Sequence, residues 1–251
     1  MANALIYPVA STEGSGYASL LLEKAGYPLT DHPTPEITHL LLDVPSFQKN
    51  GCLRNGGDLC KILAMIPQNI TVIGGNLNHP ALEGYRKMDL LQSDFYLARN
   101  AAITAHCALQ VAASCLKTTF ADTSALIIGW GRIGKCLARL LKDIGCDVTV
   151  AVRKNTDLAM LSALGYPCIS ISEIPSHLLR FSLLFNTVPC PLFSEELPTT
   201  KNCIMIELSS ENGLNNKDVI IARGLPGTYA PKSSGMLIAN TILQLWKEEE
   251  T

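Results

Sequence analysis

The sequence predicts a two-domain α/β protein, in which a smaller N-terminal α/β domain precedes a doubly wound parallel sheet. Two observations predict this class. Short apolar runs alternate with helical stretches along the chain, and a glycine-rich turn joins one such run to a helix. The length of 251 residues agrees with two domains, since domains average roughly 150 residues or fewer.

Composition excludes several classes of protein. Hydrophobic residues make up 47% of the chain and charged residues 17%, which is enough apolar material for packed cores. The net charge of -2 excludes a strong general attraction to nucleic acid. The N-terminus lacks the basic lead of a secretory signal, and the uncharged stretch 101–116 is too short and polar to span a bilayer. We expect a soluble cytoplasmic protein without nucleic-acid or membrane partners.

The nine cysteines include no CxxC pair, and their number is odd. In a chain without an export signal this pattern is typical of reduced thiols that serve as small core residues. We therefore expect neither a metal site nor a disulfide framework.

The predicted elements fall into two domains. In the first, residues 1–98, we expect strands at 4–9, 38–42 and 70–73 and helices at 17–25 and 59–65. A linker helix over 93–116, which Ser93 is suited to cap, leads into the second domain at 99–233. Its predicted strands are 123–128, 147–152, 182–186, 202–207 and 219–222. A closing helix begins at Ser234, and residues 234–251 are expected to pack back on the first domain.

A G-x-G-x-x-G segment lies directly between a predicted strand and a predicted helix. Gly129 permits a tight turn, Gly131 lets the backbone approach a pyrophosphate, and Gly134 lets the helix lie close to the strand. The N-terminus of the helix adds N–H donors and a partial positive charge. The segment therefore predicts a Rossmann-type dinucleotide site, formed by Gly129, Trp130, Gly131, Arg132, Ile133 and Gly134.

The end of the next strand predicts which nucleotide binds. A site that prefers NAD usually places Asp or Glu there, about twenty residues after the glycines. Here Arg153 holds that position and Lys154 follows it, with no carboxylate to repel a phosphate. A guanidinium pairs well with the 2′-phosphate of NADP. We expect Arg153 and Lys154 to bind NADP rather than NAD.

Two further loops are expected at the same edge of the sheet. Asn186-Thr187-Val188-Pro189 follows an apolar strand, and ligands of doubly wound sheets bind at the carboxyl ends of strands. The turn-rich segment 224–235 opens the closing helix, with Ser233 or Ser234 as its cap. Lys232, just before that helix, is a candidate anion-binding residue or an ordinary surface lysine.

In the first domain, residues 11–16 also connect a strand end to a helix start. The hydroxyl and N–H groups of Ser11, Thr12, Gly14 and Ser15 are suited to hold a carboxylate, and Glu13 is either a base or a helix cap. On the linker helix, Asn100 and Thr104 are four residues apart and share a face. His106 is offset from that face, and is either a catalyst or a packed residue.

These motifs together resemble the A-subunit family of dipicolinate synthase, found in spore-forming bacteria. The resemblance is carried by Tyr7-Pro8-Val9 with Thr12-Glu13-Gly14, Asn100-x-x-x-Thr104, the glycine turn, Asn186-Thr187-Val188-Pro189, and Gly224-Leu225-Pro226-Gly227 with Ala230-Pro231-Lys232. It extends from Leu5 to Leu245, and the last motif is the most specific.

The resemblance implies an NADP-dependent dehydrogenase active during sporulation. It implies oxidation of a dihydro- or hydroxytetrahydro-pyridine-2,6-dicarboxylate to dipicolinate, with the flavoprotein-like B-subunit of dipicolinate synthase as partner. Lys232 and the 11–16 loop would hold the substrate carboxylates, with Ser233 and Ser234 beside them. Asn100 and Thr104 would line the cleft beside the nicotinamide. We also expect a homo-oligomer, which is common for this architecture.

The chain departs from the family pattern in two places. The family begins with an additional strand–helix segment, so we expect a diverged, N-terminally shortened member. The family also tends to carry Glu two residues after the helix Thr, followed by Gly, where this chain has His106 and Cys107. His106 would then replace a carboxylate as proton acceptor. The candidate catalytic residues are Lys232, His106 and Glu13.

Two other interpretations stay open at this point. A D-2-hydroxyacid dehydrogenase is suggested by Gly131-Arg132-Ile133-Gly134, although no histidine follows His177 and the 207–210 segment lacks the expected arginine. A non-catalytic NADP-binding subunit or redox sensor would keep the glycine turn and Arg153. It would need no acid–base group.

Overall fold

A computed structural model describes residues 4–198 and 202–249 of the chain. The chain divides into two compact units, one formed by residues up to Asn100 together with those from Pro226 onward, and the other by Ala101–Leu225. Residues 226–233 therefore group with the first unit and not, as the predicted limit at 233 has it, with the second. The reason is that they lead into a helix that packs on the first helix of the chain.

The first unit contains a parallel sheet with strands in sequential order. Within its described residues the strands are β1 (Ile6–Pro8), β2 (His39–Leu41), β3 (Thr71–Gly74) and β4 (Arg86–Asp89). Helices α1 (Glu13–Lys24) and α2 (Leu59–Leu63) follow β1 and β2, and α3 (Asp94–Cys115) begins after β4. Ser93 accepts a hydrogen bond from the Tyr96 N–H at 3.3 Å, which is the predicted cap of the long helix.

The core of this sheet is apolar on both faces. Strands β2 and β3 are fully buried, which explains why both read as continuous hydrophobic runs. One cluster gathers buried side chains from the strands, α2 and the loops between them, including Leu40, Leu42, Leu59, Leu63, Ile70, Val72 and Leu82. Strand β4 lies at the edge of the sheet, and only Met88 of its four residues is buried.

The second unit is built on a larger parallel sheet. Its strands, among the residues described, are β5 (Ser124–Ile128), β6 (Asp147–Val152), β7 (Cys168–Ser170), β8 (Leu183–Asn186), β9 (Ile204–Glu207) and β10 (Ile220–Ile221). Helices α4 (Arg132–Asp143), α5 (Asn155–Ala163) and α6 (Ile174–His177) lie between them. The spatial order is β10-β9-β8-β5-β6-β7, with every pair parallel. The order reverses between β5 and β8, which confirms the predicted Rossmann-type doubly wound sheet.

The chain ends with α7 (Leu225–Tyr229) and α8 (Pro231–Glu249), while the predicted end of this helix at 250–251 lies outside the described residues. Helix α8 begins at Pro231, so Ser233 and Ser234 lie in its first turn and the prediction that one of them caps it is wrong. The Ser234 N–H already donates to the Ala230 carbonyl at 2.9 Å, and proline is favoured at the first helical position.

Helices α1 and α8 cross at a pair of glycines in the first unit. A Cβ on Gly235 would meet the Gly14 carbonyl and Tyr17, and a Cβ on Gly14 would lie 3.3 Å from the Ser234 hydroxyl. The two helices can therefore approach this closely only without side chains at these positions.

No helix within the described residues is both long enough and apolar enough to cross a membrane.

The turn after β5 supplies a test of the fold. A Cβ on Gly134 would collide with the Gly129 carbonyl, so we expect Gly134→Ala to lower the free energy of unfolding by about 1–3 kcal/mol. Urea denaturation measures the loss. The matched control is Gly16→Ala on α1, where a Cβ meets no atom within 4 Å and where alanine should be neutral or slightly stabilising. Equal stability of the two variants would contradict the close strand–helix contact.

Candidate nucleotide-binding site

The loops that follow β5 and β8 meet where the strand order of the second unit reverses. Gly129 has a φ of 103°, and a Cβ there would lie 2.6 Å from the Thr187 hydroxyl and 2.8 Å from a methyl group of Val188. Thr187 in turn donates from its backbone N–H and its hydroxyl to the Ile128 carbonyl, at 3.0 and 2.8 Å. Glycine at 129 is therefore required for these two loops to pack together at the edge where such sheets bind ligands.

The N-terminus of α4 is accessible at this edge. Gly131 caps the helix in extended geometry, and a Cβ at this position would meet no protein atom within 4 Å. Arg132 and Ile133 follow in the first turn, and no acidic residue occupies that turn. A backbone without a side chain at a helix N-terminus suits an anion such as a pyrophosphate.

A cavity of about 250 Å³ lies beside this turn, within the second unit. Its lining includes Gly129, Trp130, Arg153 and Lys154, and both cationic side chains belong to exposed residues. The remaining lining residues are Val152, Asp157, Ile171, Val188, Cys190, Pro191 and Leu192. The structure thus brings the predicted glycine turn and the predicted cations to one cavity.

One expectation about this cavity is wrong. No carboxylate was expected near Arg153, but Asp157, in the first turn of α5, lines the same cavity. It lies three residues after Lys154, the N-cap of α5, and its N–H donates to the Lys154 carbonyl at 3.0 Å. The cavity therefore carries two cations and one carboxylate.

Trp130 forms a wall of the cavity and is held by neighbouring side chains. Its ring lies 5.6 Å from that of Tyr166 at an angle of 60°, and the Lys135 ammonium lies 5.9 Å from its centre. The Lys142 ammonium lies 4.6 Å from the centre of the Tyr166 ring. These edge-to-face and cation–π contacts fix the indole, which is a suitable apolar surface for a nucleotide base.

The predicted polar loop after β8 is committed to internal contacts. Asn186 is fully buried, and its amide accepts from the Val188 N–H at 3.0 Å and donates to the Val188 carbonyl at 3.1 Å. The same amide also donates to the buried carboxylate of Glu207, at 2.8 and 3.0 Å. Val188 lines the cavity, whereas Asn186 and Thr187 act on the shape of the loop and Pro189 is exposed. The sequence analysis did not identify Glu207 as the hydrogen-bond partner of Asn186.

In the first unit, the 11–16 loop does hold a carboxylate, and it belongs to Asp43. The backbone N–H groups of Ser11 and Thr12 donate to it at 3.0 and 3.1 Å. The hydroxyls of Ser11, Thr12 and Ser15 donate to it at 3.0, 2.7 and 2.8 Å. These hydroxyl protons, which were expected to bind a substrate, are therefore used by the protein itself.

The pKa of Asp43 reflects two opposing effects. Burial would raise it, since the residue is 2% exposed, but the hydrogen bonds from Thr12, Ser11 and Ser15 outweigh burial and hold the pKa below the ordinary value of 3.8. The hydrogen bonds thus favour the charged form strongly enough to keep a carboxylate in a nearly dry site.

The other candidate residues of the first unit lie near the N-termini of α1 and α8. Thr12 caps α1, Glu13 is exposed in its first turn, and Gly14 faces Ser234. Lys232 is exposed in the first turn of α8, and within the described residues it pairs with no carboxylate. Two helix N-termini and a cation therefore lie close together in this unit.

The candidates on α3 differ in accessibility. Asn100 is half-buried, Thr104 is 8% exposed, and His106 is an exposed residue. No hydrogen-bond partner for the His106 side chain occurs in the described part of the chain, so the structure does not orient its imidazole.

Across the described part of the chain, no group of three or more His, Cys, Asp or Glu residues is placed to hold a metal ion. All nine cysteines lie within it, and none of them forms a disulfide.

The Asp43 network predicts a pH-dependent stability. Asp43→Asn should lower the free energy of unfolding at pH 7 by about 1–3 kcal/mol, because buried donors lose their acceptor. Since the folded-state pKa lies below the unfolded one, the stabilisation is complete above 3.8 and is lost as the pH falls through the lowered pKa. Denaturation curves of the two proteins should therefore converge in acid. Asp58→Asn, at the exposed N-terminus of α2, is the control and should change little.

No family model matches the chain. It is 25% identical over 183 residues to the A-subunit of dipicolinate synthase from Bacillus subtilis (strain 168), which is 68% of this chain and 62% of that protein. The chain thus spans less than two thirds of the length of this curated relative. It also resembles solved structures at lower sequence identity.

The crystal structure of the dipicolinate synthase A-subunit from Bacillus halodurans superposes with a TM-score of 0.80 at 17% identity, over 98% of each chain. Its Bacillus subtilis counterpart gives 0.78 at 18% identity, over 99% of this chain and 97% of the other. An L-alanine dehydrogenase gives 0.64 at 13% identity, over 96% of this chain and 80% of the other. The predicted resemblance to the A-subunit of dipicolinate synthase is confirmed, and the fold is one that dehydrogenases share.

Proposed function

We propose that the chain is an NADP-dependent oxidoreductase similar to the A-subunit of dipicolinate synthase. The observation that carries this proposal is the glycine turn at the point where the strand order reverses, open at Gly131 and beside a cavity that Arg153 and Lys154 line. A pyrophosphate fits the α4 N-terminus and an adenosine fits the cavity beside Trp130. A bound oxidised nicotinamide would accept a hydride from the substrate.

NADP is favoured over NAD by the charges at the cavity. Arg153 and Lys154 can each contact a 2′-phosphate, and a guanidinium does so with two parallel hydrogen bonds. Asp157 opposes this preference, because it places a negative charge in the same cavity. With two cations against one carboxylate, the balance supports the phosphorylated coenzyme.

The substrate class follows from the relative's name together with the charges of the first unit. Dipicolinate is an aromatic dicarboxylate. Its formation from a dihydropyridine-2,6-dicarboxylate removes a hydride and a proton, and its formation from the hydroxytetrahydro compound also removes a molecule of water. Lys232 and the N-termini of α1 and α8 supply positive charge for a carboxylate. Because Asp43 uses the hydroxyls of Ser11, Thr12 and Ser15, such a carboxylate would depend on backbone N–H groups, Lys232 and the serines of α8.

The remaining roles are those that the resemblance implies. His106 or Glu13 would accept the proton, and Asn100 and Thr104 would lie beside the nicotinamide. The reaction would take place during sporulation in the cytoplasm, with the B-subunit of dipicolinate synthase as partner and with this chain as a homo-oligomer. His106 is exposed, and histidine is the side chain that most often serves as a general base.

A second candidate is a nucleotide-binding protein or redox sensor that performs no chemistry. Two observations favour it: the protein itself satisfies the hydroxyls of the 11–16 loop, and no described residue orients His106. A D-2-hydroxyacid-type dehydrogenase has less support, because the chain lacks the late histidine that such an enzyme uses.

Nucleotide choice is tested by Arg153→Ala. We expect NADPH to bind about 10- to 100-fold more weakly and NADH to change little, because only the 2′-phosphate loses its partner. Trp130 serves as the reporter in a Trp246→Phe background, where it is the single tryptophan and lines the cavity. Energy transfer from its indole to the reduced nucleotide measures the dissociation constants.

Arg180→Ala is the control for this measurement, because Arg180 belongs to the same unit but does not line the cavity. It should leave both affinities unchanged. If Arg153→Ala weakens the binding of NADPH and of NADH by the same factor, the guanidinium does not bind the 2′-phosphate. If the unmutated protein binds neither coenzyme, the proposed function is wrong.

The reaction is tested by mixing the protein with NADP and enzymatically generated 4-hydroxytetrahydrodipicolinate. We expect a pyridine chromophore and NADPH to appear together. Lys232→Ala should abolish turnover with little change in NADPH affinity, whereas Lys24→Ala, an exposed lysine of α1, should retain both. If the nucleotide binds but no chromophore forms, with and without the B-subunit, the non-catalytic interpretation replaces the enzyme.

A further inference from the structure

Glu207 is a buried carboxylate at the carboxyl end of β9, and it does not line the cavity. It is 0% exposed, and it accepts hydrogen bonds from three segments of the second unit. The Asn186 amide donates to both of its oxygens, the Ser209 N–H and hydroxyl donate to one at 3.1 and 2.6 Å, and the Gly213 and Leu214 N–H groups donate to the other at 2.8 and 3.2 Å.

The Asn186 NH2 group and the N–H groups of Ser209, Gly213 and Leu214 can only donate to these two oxygens. The Ser209 hydroxyl also contacts the Glu211 carbonyl, at 2.5 Å, and has one proton for the two contacts. An amide side chain at this position would turn an NH2 group toward donors and leave them without an acceptor. Among the described residues, no lysine or arginine forms an ion pair with Glu207. The arrangement therefore requires an acceptor-only carboxylate, and its negative charge is balanced by hydrogen bonds alone.

These contacts reach the cavity through two short chains of hydrogen bonds. On one side Glu207 binds the Asn186 amide, which holds both the N–H and the carbonyl of Val188. On the other side Glu207 binds the Gly213 N–H, and the Gly213 carbonyl accepts from the Leu192 N–H at 3.0 Å. Val188 and Leu192 are the two ends of the cavity wall, by which we mean Val188, Cys190, Pro191 and Leu192.

The packing around this network leaves little room for adjustment. A Cβ on Gly213 would collide with the Asn186 amide and would lie 2.9 Å from the Cys190 carbonyl. On the outer side of the loop, Arg223 donates to the Ser209 carbonyl at 2.9 Å and to the Asn212 side chain at 2.6 Å. The network therefore transmits the position of the Glu207 carboxylate to the cavity wall.

We propose that Glu207 is a positioning residue of the nucleotide site, which fixes the wall of the cavity that Trp130 and Arg153 also line. This inference rests on the proposed function, since it concerns the same cavity. The wall faces the part of a dinucleotide that NAD and NADP share, whereas Arg153 faces the 2′-phosphate. Loss of Glu207 should therefore weaken both coenzymes equally, and loss of Arg153 should weaken only one.

The test uses Glu207→Gln in the Trp246→Phe background, with Glu211→Gln as the matched control. Glu211 belongs to the same loop, but its side chain is exposed and has no hydrogen-bond partner among the described residues. We expect Glu207→Gln to weaken NADPH and NADH by about tenfold each, with an unchanged ratio between them. Trp130 emission without nucleotide should shift, and its quenching by acrylamide should change, since Trp130 lines the cavity whose wall is displaced.

These outcomes separate the inference from the proposed function. The inference is overturned if Glu207→Gln lowers only the melting temperature, while the folded protein keeps its affinities and its Trp130 emission. It is also overturned if the ratio of NADPH to NADH affinity collapses as it does in Arg153→Ala. The proposed function alone fails if no coenzyme binds to the unmutated chain while the emission still shifts. Should Glu207→Gln not fold, Ser209→Ala removes one donor to the same oxygen and is judged by the same measurements.

Discussion

The close approach of β5 and α4 is the constraint on which the second unit depends. The first residue of the turn must adopt a φ of 103°, and the helix must come so near that its third residue has no room for a side chain. Glycine satisfies both conditions at 129 and 134. Because the turn is this tight, the N-terminus of α4 lies at the edge of the sheet beside the loop after β8. The shape of the turn and its contact with the loop after β8 therefore both depend on these two glycines.

In each unit, a buried carboxylate at or near the end of a strand holds neighbouring loops in place through hydrogen bonds. Asp43, two residues after β2, gathers the loop before α1, and Glu207, the last residue of β9, gathers the loops after β8 and β9. In both places the partners are hydroxyl, amide and backbone N–H groups and not cations. A charge-assisted hydrogen bond is stronger than a neutral one, so several of them can hold a carboxylate away from water. These hydrogen bonds fix the shapes of the loops.

Much of the fold follows from the sequence because the central strands are buried on both faces. Such strands appear as continuous apolar runs, and the limits of β6 agree with the predicted 147–152. Strands β4 and β7 were not predicted. Arg86 and Lys87 of β4 are exposed at the sheet edge, and β7 has only three half-buried residues. Edge strands need less apolar surface, so their periodic signal is weak.

The candidate site was predictable only where its determinants are local. The glycine turn and Arg153 stand at fixed spacings along the chain, whereas Asp43 acts on residues about thirty positions earlier. Nothing adjacent to Asp43 indicates that it competes with a ligand for the 11–16 loop. Glu207 had a usable signal, namely an acid that ends an apolar strand before a loop rich in Ser, Asn and Gly. Asp157 had one too, because it lies only three residues after Lys154 along the chain.

The return of the chain to its first unit has a consequence for the order of folding. Helices α1 and α8 pack together, although Lys24 and Pro231, their nearest ends along the chain, are 207 positions apart (231 − 24). The second unit is continuous, so it can fold on the ribosome while the first still lacks a helix. Bringing the ends of so long a loop together lowers the entropy of the chain before the contacts between α1 and α8 can stabilise it. We expect the first unit to reach its final state only after α8 has been synthesised.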